Sequence, residues 1–147
     1  LGGCIALSYP DDTAIKGRIA LSPVVHPVET FRSEGILGSE LWEKAMYGIT
    51  ISNFFNKAFS LKNGIFVKDM IEGNYAPLEA AKTYDTPLLI IHGTNDMAVP
   101  VEGSDELYYL YKGEKCFHKL EGIDHVYSNK HNLITSLMVQ WLNKYFR

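Results

Sequence analysis

Four consecutive apolar residues, Leu88 to Ile91, follow Pro87 and end at His92-Gly93. An apolar run without alternation predicts a strand covered on both faces, as in a parallel sheet flanked by helices. Ile15 to Ser22 (IKGRIALS) predicts a second buried strand, stopped by Pro23. Lys115 to Leu120 (KCFHKL) alternates imperfectly and predicts a last strand near the sheet edge. Between these last strands, Glu102 to Tyr111 carries Leu107, Tyr108, Leu110 and Tyr111 on a helix, with Ser104 as its N-cap and Gly113 past its end. From Asn132 to Phe146, residues Leu133, Ile134, Leu137, Met138, Trp141, Leu142 and Tyr145 fall on one face of a final helix. Strands alternating with helices predict an α/β fold with a mostly parallel sheet.

The middle of the chain reads differently. Ser39 can cap a helix through Leu41, Trp42, Ala45 and Met46 that stops near Gly48. Ile51 to Leu61 places Phe54, Phe55 and Phe59 at helical spacing. Asn63-Gly64 and Gly73-Asn74 are breaks, with a short helix over Lys68 to Glu72 between them and another from Leu78 to Tyr84. The organisation is therefore a core segment over 1–33, a helical insertion over 34–83 and a second core segment over 84–147.

Composition narrows the classes. The 147 residues are 46% hydrophobic and 21% charged, as expected of a globular domain. A net charge of -3 with no basic run gives no electrostatic footprint for nucleic acid. No apolar run approaches the ~18 residues of a membrane helix. Cys4 and Cys116 lack metal-ligand spacing and read as buried free thiols of a reducing compartment, which favours a cytoplasmic setting. The chain begins at Leu1 rather than Met, so a signal peptide upstream would be invisible in it.

The polar residues that can carry chemistry lie at strand ends. Asp96 follows the Leu88 strand in P-L-L-I-I-H-G-T-N-D-M-A-V-P, and His125 follows the last strand in G-I-D-H. An acid and a histidine on neighbouring strand-end loops can orient an imidazole for proton transfer. Asp124 reads as a turn residue, and His118 as packed or solvent-facing. Gly2-Gly3, after Leu1, places two small residues at the start of the chain, as required where a strand turns sharply into a helix. His26, just past the Ile15–Ser22 strand, lies where ligands of open α/β sheets bind.

On these motifs the chain resembles the C-terminal part of the α/β-hydrolase family, which reads H-G-x-x-D-x-x-V-P around its acid and G-x-x-H around its histidine. The nearest likeness is to feruloyl or cinnamoyl esterases and monoacylglycerol-lipase-like serine hydrolases, carried by I-K-G-R-I-A-L-S-P and by G-N-Y…P-L-L-I-I-H-G. Peptidases of the prolyl aminopeptidase type share much of this pattern. The resemblance implies a carboxylic-ester substrate and a Ser-Asp-His triad with Asp96 as acid and His125 as base, and it requires no cofactor or metal. It implies that the nucleophilic serine stands immediately before Leu1, whose backbone N–H would be an oxyanion donor. It also makes the 34–83 insertion a lid, with His26, Trp42, Phe54, Phe55 and Phe59 toward an apolar substrate pocket. Cys4, in G-G-C-I-A, is an alternative nucleophile by loose likeness to G-x-C-x-G. Without the serine and the preceding strands, the chain is expected to pair with the missing part or with itself. The other alternative is a non-catalytic remnant.

Overall fold

The computed structural model describes residues 1–34, 36–54, 57–61 and 64–146, with backbone alone for 49–54 and 57–61. The chain divides into two compact units, one of Leu1–His26 with Ala76–Arg147 and one of Pro27–Tyr75.

The first unit holds a three-stranded parallel sheet. Its strands are β1 (Arg18–Leu21), β4 (Leu88–Gly93) and β5 (Lys115–Leu120), in the order β1-β4-β5. β4 is central because it is apolar on both faces: every residue from Leu88 to Gly93 is buried. On one face Leu88 and Ile90 pack with Leu7, Ala20, Ala81, Tyr84, Leu107 and Tyr111. These come from β1, from α1 (Gly2–Ser8), α5 (Pro77–Ala81) and α6 (Glu102–Leu110), and from the residues just after α5 and α6. On the other face Leu89 and Ile91 pack with Ile134, Trp141 and Tyr127, the first two from α7 (His131–Tyr145). Each fully buried aliphatic side chain contributes about 1.5–3 kcal/mol. β1 pairs Arg18 with Leu88 through Leu21 with Ile91, and β5 pairs Lys115 with Leu88 through Leu120 with Gly93. Both parallel registers bring the carboxyl ends of the strands to one edge of the sheet.

The strands are where the apolar pattern puts them, with one shortened. β1 begins at Arg18 rather than Ile15 because Asp12 closes a turn first: its Oδ1 accepts the Ala14 N–H at 2.8 Å, and its carbonyl accepts the Ile15 N–H at 2.9 Å. α6 starts at Glu102, so Ser104 is not its cap but a fully buried residue of its first turn.

In the second unit, α2 (Pro27–Arg32), α3 (Gly38–Ala45) and α4 (Ile65–Ile71) accompany a two-stranded antiparallel sheet of β2 (Ile49–Phe54) and β3 (Lys57–Leu61). The helix expected over Ile51–Leu61 is therefore a pair of strands, with Ile49 opposite Leu61 and Ile51 opposite Phe59. The β-branched run Ile49-Thr50-Ile51 favours a pleated strand, and Ser52-Asn53 are weak helix formers. Ser39 does not cap α3 either. The helix begins at Gly38, whose φ of +74° reverses the chain, and Glu34 accepts the Ser39 N–H at 3.3 Å. The break at Gly64 has a steric cause as well as a φ of +67°, since a Cβ there would lie 2.0 Å from the Met46 carbonyl oxygen. α4 begins at Ile65, before the expected Lys68, and α5 ends at Ala81, before the expected Tyr84.

Candidate active site

Asp96 and His125 lie on the loops after β4 and β5, adjacent strands whose carboxyl ends share one edge. The two loops are stitched together by backbone. Thr94 N–H donates to Leu120 O at 2.9 Å, Asn95 N–H to Ile123 O at 3.0 Å, and Gly122 N–H to Thr94 Oγ1 at 2.8 Å. Gly93 makes this approach possible: a Cβ on it would sit 2.1 Å from the Ile123 carbonyl oxygen. Gly122 supplies a φ of +69°, a conformation that costs a residue with a side chain about 1 kcal/mol.

The Asp96 carboxylate, with no exposed side-chain surface, accepts four hydrogen bonds. Oδ1 takes the Ala98 and Val99 N–H groups at 2.9 and 2.8 Å. Oδ2 takes His125 Nδ1 at 2.7 Å and His92 Nε2 at 3.1 Å. Burial alone would push the carboxyl pKa up. The hydrogen bonds from His125, His92 and Val99 and the attraction of His125 more than offset it, holding Asp96 well below the usual carboxylate range. His125 keeps 33% of its side-chain surface, so its ring is tethered at Nδ1 and accessible elsewhere. Its Nε2 has no hydrogen-bond partner among the described residues. Such an arrangement can set the tautomer of the imidazole at Nδ1 and leave Nε2 open to exchange a proton.

The loop beyond His125 is held by residues that the sequence pattern did not single out. Tyr127 adopts a φ of +55°, strained for an aromatic residue, and its hydroxyl donates to Ile91 O while meeting Ser22 Oγ, both at 2.8 Å. Burial raises the Tyr127 pKa, so the phenol keeps its proton as a donor. Ser22, itself at φ +40°, thus ties the end of β1 to the His125 loop. The only sequence signal for this clasp was S-P at the end of the strand. Asp124 is the turn residue expected, its Oδ1 accepting the Ser128 N–H at 2.9 Å.

His26 forms an exposed pair with Glu106 at 2.8 Å. Trp42 is buried on α3 in the second unit. Phe55 lies outside the described residues, as do the side chains of Phe54 and Phe59. Leu1 is exposed and accepts the Ile5 N–H at 3.1 Å as the first residue of the α1 ladder. Cys4 is fully buried within α1, and burial pushes its thiol pKa up, the opposite of what activates a nucleophilic cysteine. Among the described residues, no three of His, Cys, Asp and Glu cluster as a metal site, and no helix is long and apolar enough to cross a membrane.

No protein-family model matches the chain, and no curated protein matches it by sequence. Solved structures do. The esterase Est1E from Butyrivibrio proteoclasticus is 25% identical with a TM-score of 0.69, over 88% of this chain and 51% of that one. Est1E has also been solved with ferulic acid bound. The Paleococcus ferrophilus monoacylglycerol lipase matches at 21% identity and TM-score 0.68, over 90% and 60% of the two chains. A soluble variant of monoglyceride lipase from Saccharomyces cerevisiae matches at 18% and 0.69, over 97% and 59%. The chain has the fold of the C-terminal part of an α/β hydrolase and resembles esterases and monoacylglycerol lipases of that fold. It spans about half the length of the solved structures it matches.

Proposed function

We propose that this chain is part of a carboxylic-ester hydrolase that works by a Ser-Asp-His triad. Asp96 is the acid, His125 the base, and the nucleophile is a serine immediately upstream of Leu1 in a longer polypeptide. The observation that carries the proposal is the 2.7 Å contact between Asp96 Oδ2 and His125 Nδ1 at the carboxyl ends of adjacent parallel strands. The likeness to esterases and lipases supports the same chemistry.

In the first step the serine oxygen bonds to the ester carbonyl carbon as His125 Nε2 takes the hydroxyl proton. The tetrahedral intermediate then collapses, and the imidazolium returns that proton to the leaving alcohol. Water repeats the sequence on the acyl-enzyme and releases the acid. Asp96 stays ionised throughout, holding the ring by Nδ1 and stabilising its positive charge. The Leu1 N–H serves as one oxyanion donor, a role worth about 3 kcal/mol of barrier. The 34–83 insertion acts as the lid. The aromatic content of the insertion favours an aromatic or apolar acyl group. The likeness to an esterase solved with ferulic acid supports that preference.

The test uses the polypeptide extended upstream of Leu1. A fluorophosphonate should label one serine, and p-nitrophenyl acetate turnover should fall on the order of a million-fold in His125→Ala. Undiminished turnover in that variant, or a residue other than serine at the labelled position, would overturn the proposal.

A further inference from the structure

We propose that His92, held by Ser104 behind it, is a positioning residue that fixes the Asp96 carboxylate in the orientation His125 needs. The role rests on the reading of Asp96 and His125 as acid and base. The four residues form one chain of contacts. Ser104 Oγ lies 2.7 Å from His92 Nδ1, His92 Nε2 lies 3.1 Å from Asp96 Oδ2, and that same oxygen lies 2.7 Å from His125 Nδ1.

The protons on this chain follow from what surrounds them. His92 Nε2 faces two acceptors, Asp96 Oδ2 and the Val99 carbonyl oxygen, each at 3.1 Å, so it carries the hydrogen. Nδ1 of the neutral ring then has a lone pair, and the Ser104 hydroxyl donates to it. Ser104 and His92 are both fully buried, where a polar group needs a hydrogen-bond partner. Two acceptors thereby set the tautomer of the ring on β4, one hydroxyl on α6 pairs its second nitrogen, and that ring fixes the acid on the next loop.

The consequence lies in how Oδ2 is held. The backbone N–H groups of Ala98 and Val99 anchor Oδ1 only. Among the described residues, Oδ2 has two donors, His92 and His125. His125 rides on the loop whose placement is at issue, so His92 is the donor that fixes Oδ2 independently of it. Without the His92 N–H, the carboxylate is free to turn about its Oδ1 anchor and carry the His125 ring with it.

The experiment is NMR of the ¹⁵N-labelled 147-residue chain, reading the ring nitrogens and the downfield Nδ1–H proton of His125. The unmodified chain should show His92 as a single Nε2–H tautomer and a sharp His125 Nδ1–H signal. His92→Leu should lose or broaden that signal while amide dispersion is kept, and His92→Gln, whose side-chain N–H can donate in the same place, should restore it. Ser104→Ala should move the His92 Nδ1 shift, which loses its hydrogen-bond donor, and leave the Nε2–H tautomer in place. A His125 signal unmoved in folded His92→Leu would overturn the inference and leave the acid–base pairing standing. If His92→Leu does not fold, a His92 Nδ1 shift unmoved in Ser104→Ala overturns it. Absence of the His125 Nδ1–H signal from the unmodified chain would overturn the pairing itself, and this inference with it.

Discussion

Asp96 concentrates the electrostatics of the site on one side chain. Its folded-state pKa lies below the ordinary value of ~3.9, so its contribution to stability is complete above that value and is lost as pH falls through the depressed range. The difference in unfolding free energy between the unmodified chain and Asp96→Asn should therefore narrow as denaturant titrations move from about pH 5 to pH 3. At neutral pH the same substitution sets an amide N–H against the donors now aimed at one of the carboxylate oxygens. In the upstream-extended polypeptide it should lower ester turnover by about ten-thousand-fold, with a smaller change in KM. Tyr127 is the second residue whose loss is readable. Tyr127→Phe leaves the buried Ser22 hydroxyl without its partner and a strained loop without its clasp, and thermal denaturation should report a loss of about 1–2 kcal/mol.

Between elements, the critical spacing is that of the β4 and β5 loops. Each loop is short and begins at the end of a fully registered parallel strand, so the separation of Asp96 and His125 is set by the ladder from Leu88–Lys115 to Gly93–Leu120. Gly93 is the point at which a side chain would break the arrangement, because its neighbour is the Ile123 backbone rather than a flexible side-chain tip. Gly93→Ala should destabilise by about 1–3 kcal/mol and move the His125 ring resonances, which thermal melts and NMR would measure together. Unchanged His125 resonances would mean that the loops re-seat without cost. In the second unit, β2 and β3 show what periodicity alone misjudges. Three phenylalanines at helical spacing outweighed a β-branched run that the backbone follows instead.

At the scale of the molecule, β1 is an edge. Among the described residues it pairs with β4 alone, and beside it lies an open groove lined by Gly2, Ile5, Ala6, Tyr9, Ile15 and Gly17. Leu1, Ile5, Tyr9 and Leu21 are all exposed in this region. An unpaired edge beside apolar surface favours association with another strand. The 147-residue chain on its own should self-associate with rising concentration in sedimentation experiments, and Leu21→Lys should weaken that association. A monodisperse monomer at all concentrations would show that the edge is adequately protected as it stands.

The sequence by itself determined the α/β class, the central place of Leu88–Ile91 and the one-faced final helix, because burial on two faces or one leaves a direct imprint on apolar spacing. It also carried Asp96 and His125 as candidates, since both stand in polar runs immediately after strands. Tertiary structure decided what surrounds them. His92 reads as the end of a strand and Ser104 as a helix cap, and only the approach of α6 to β4 makes them partners. Tyr127 and Ser22 stand 105 residues apart, and no local pattern records a contact that the sheet creates by bringing two strand ends together. Hydrophobic periodicity reports which face of an element is buried, whereas hydrogen-bond partners depend on which elements meet, and that is fixed only when the chain folds.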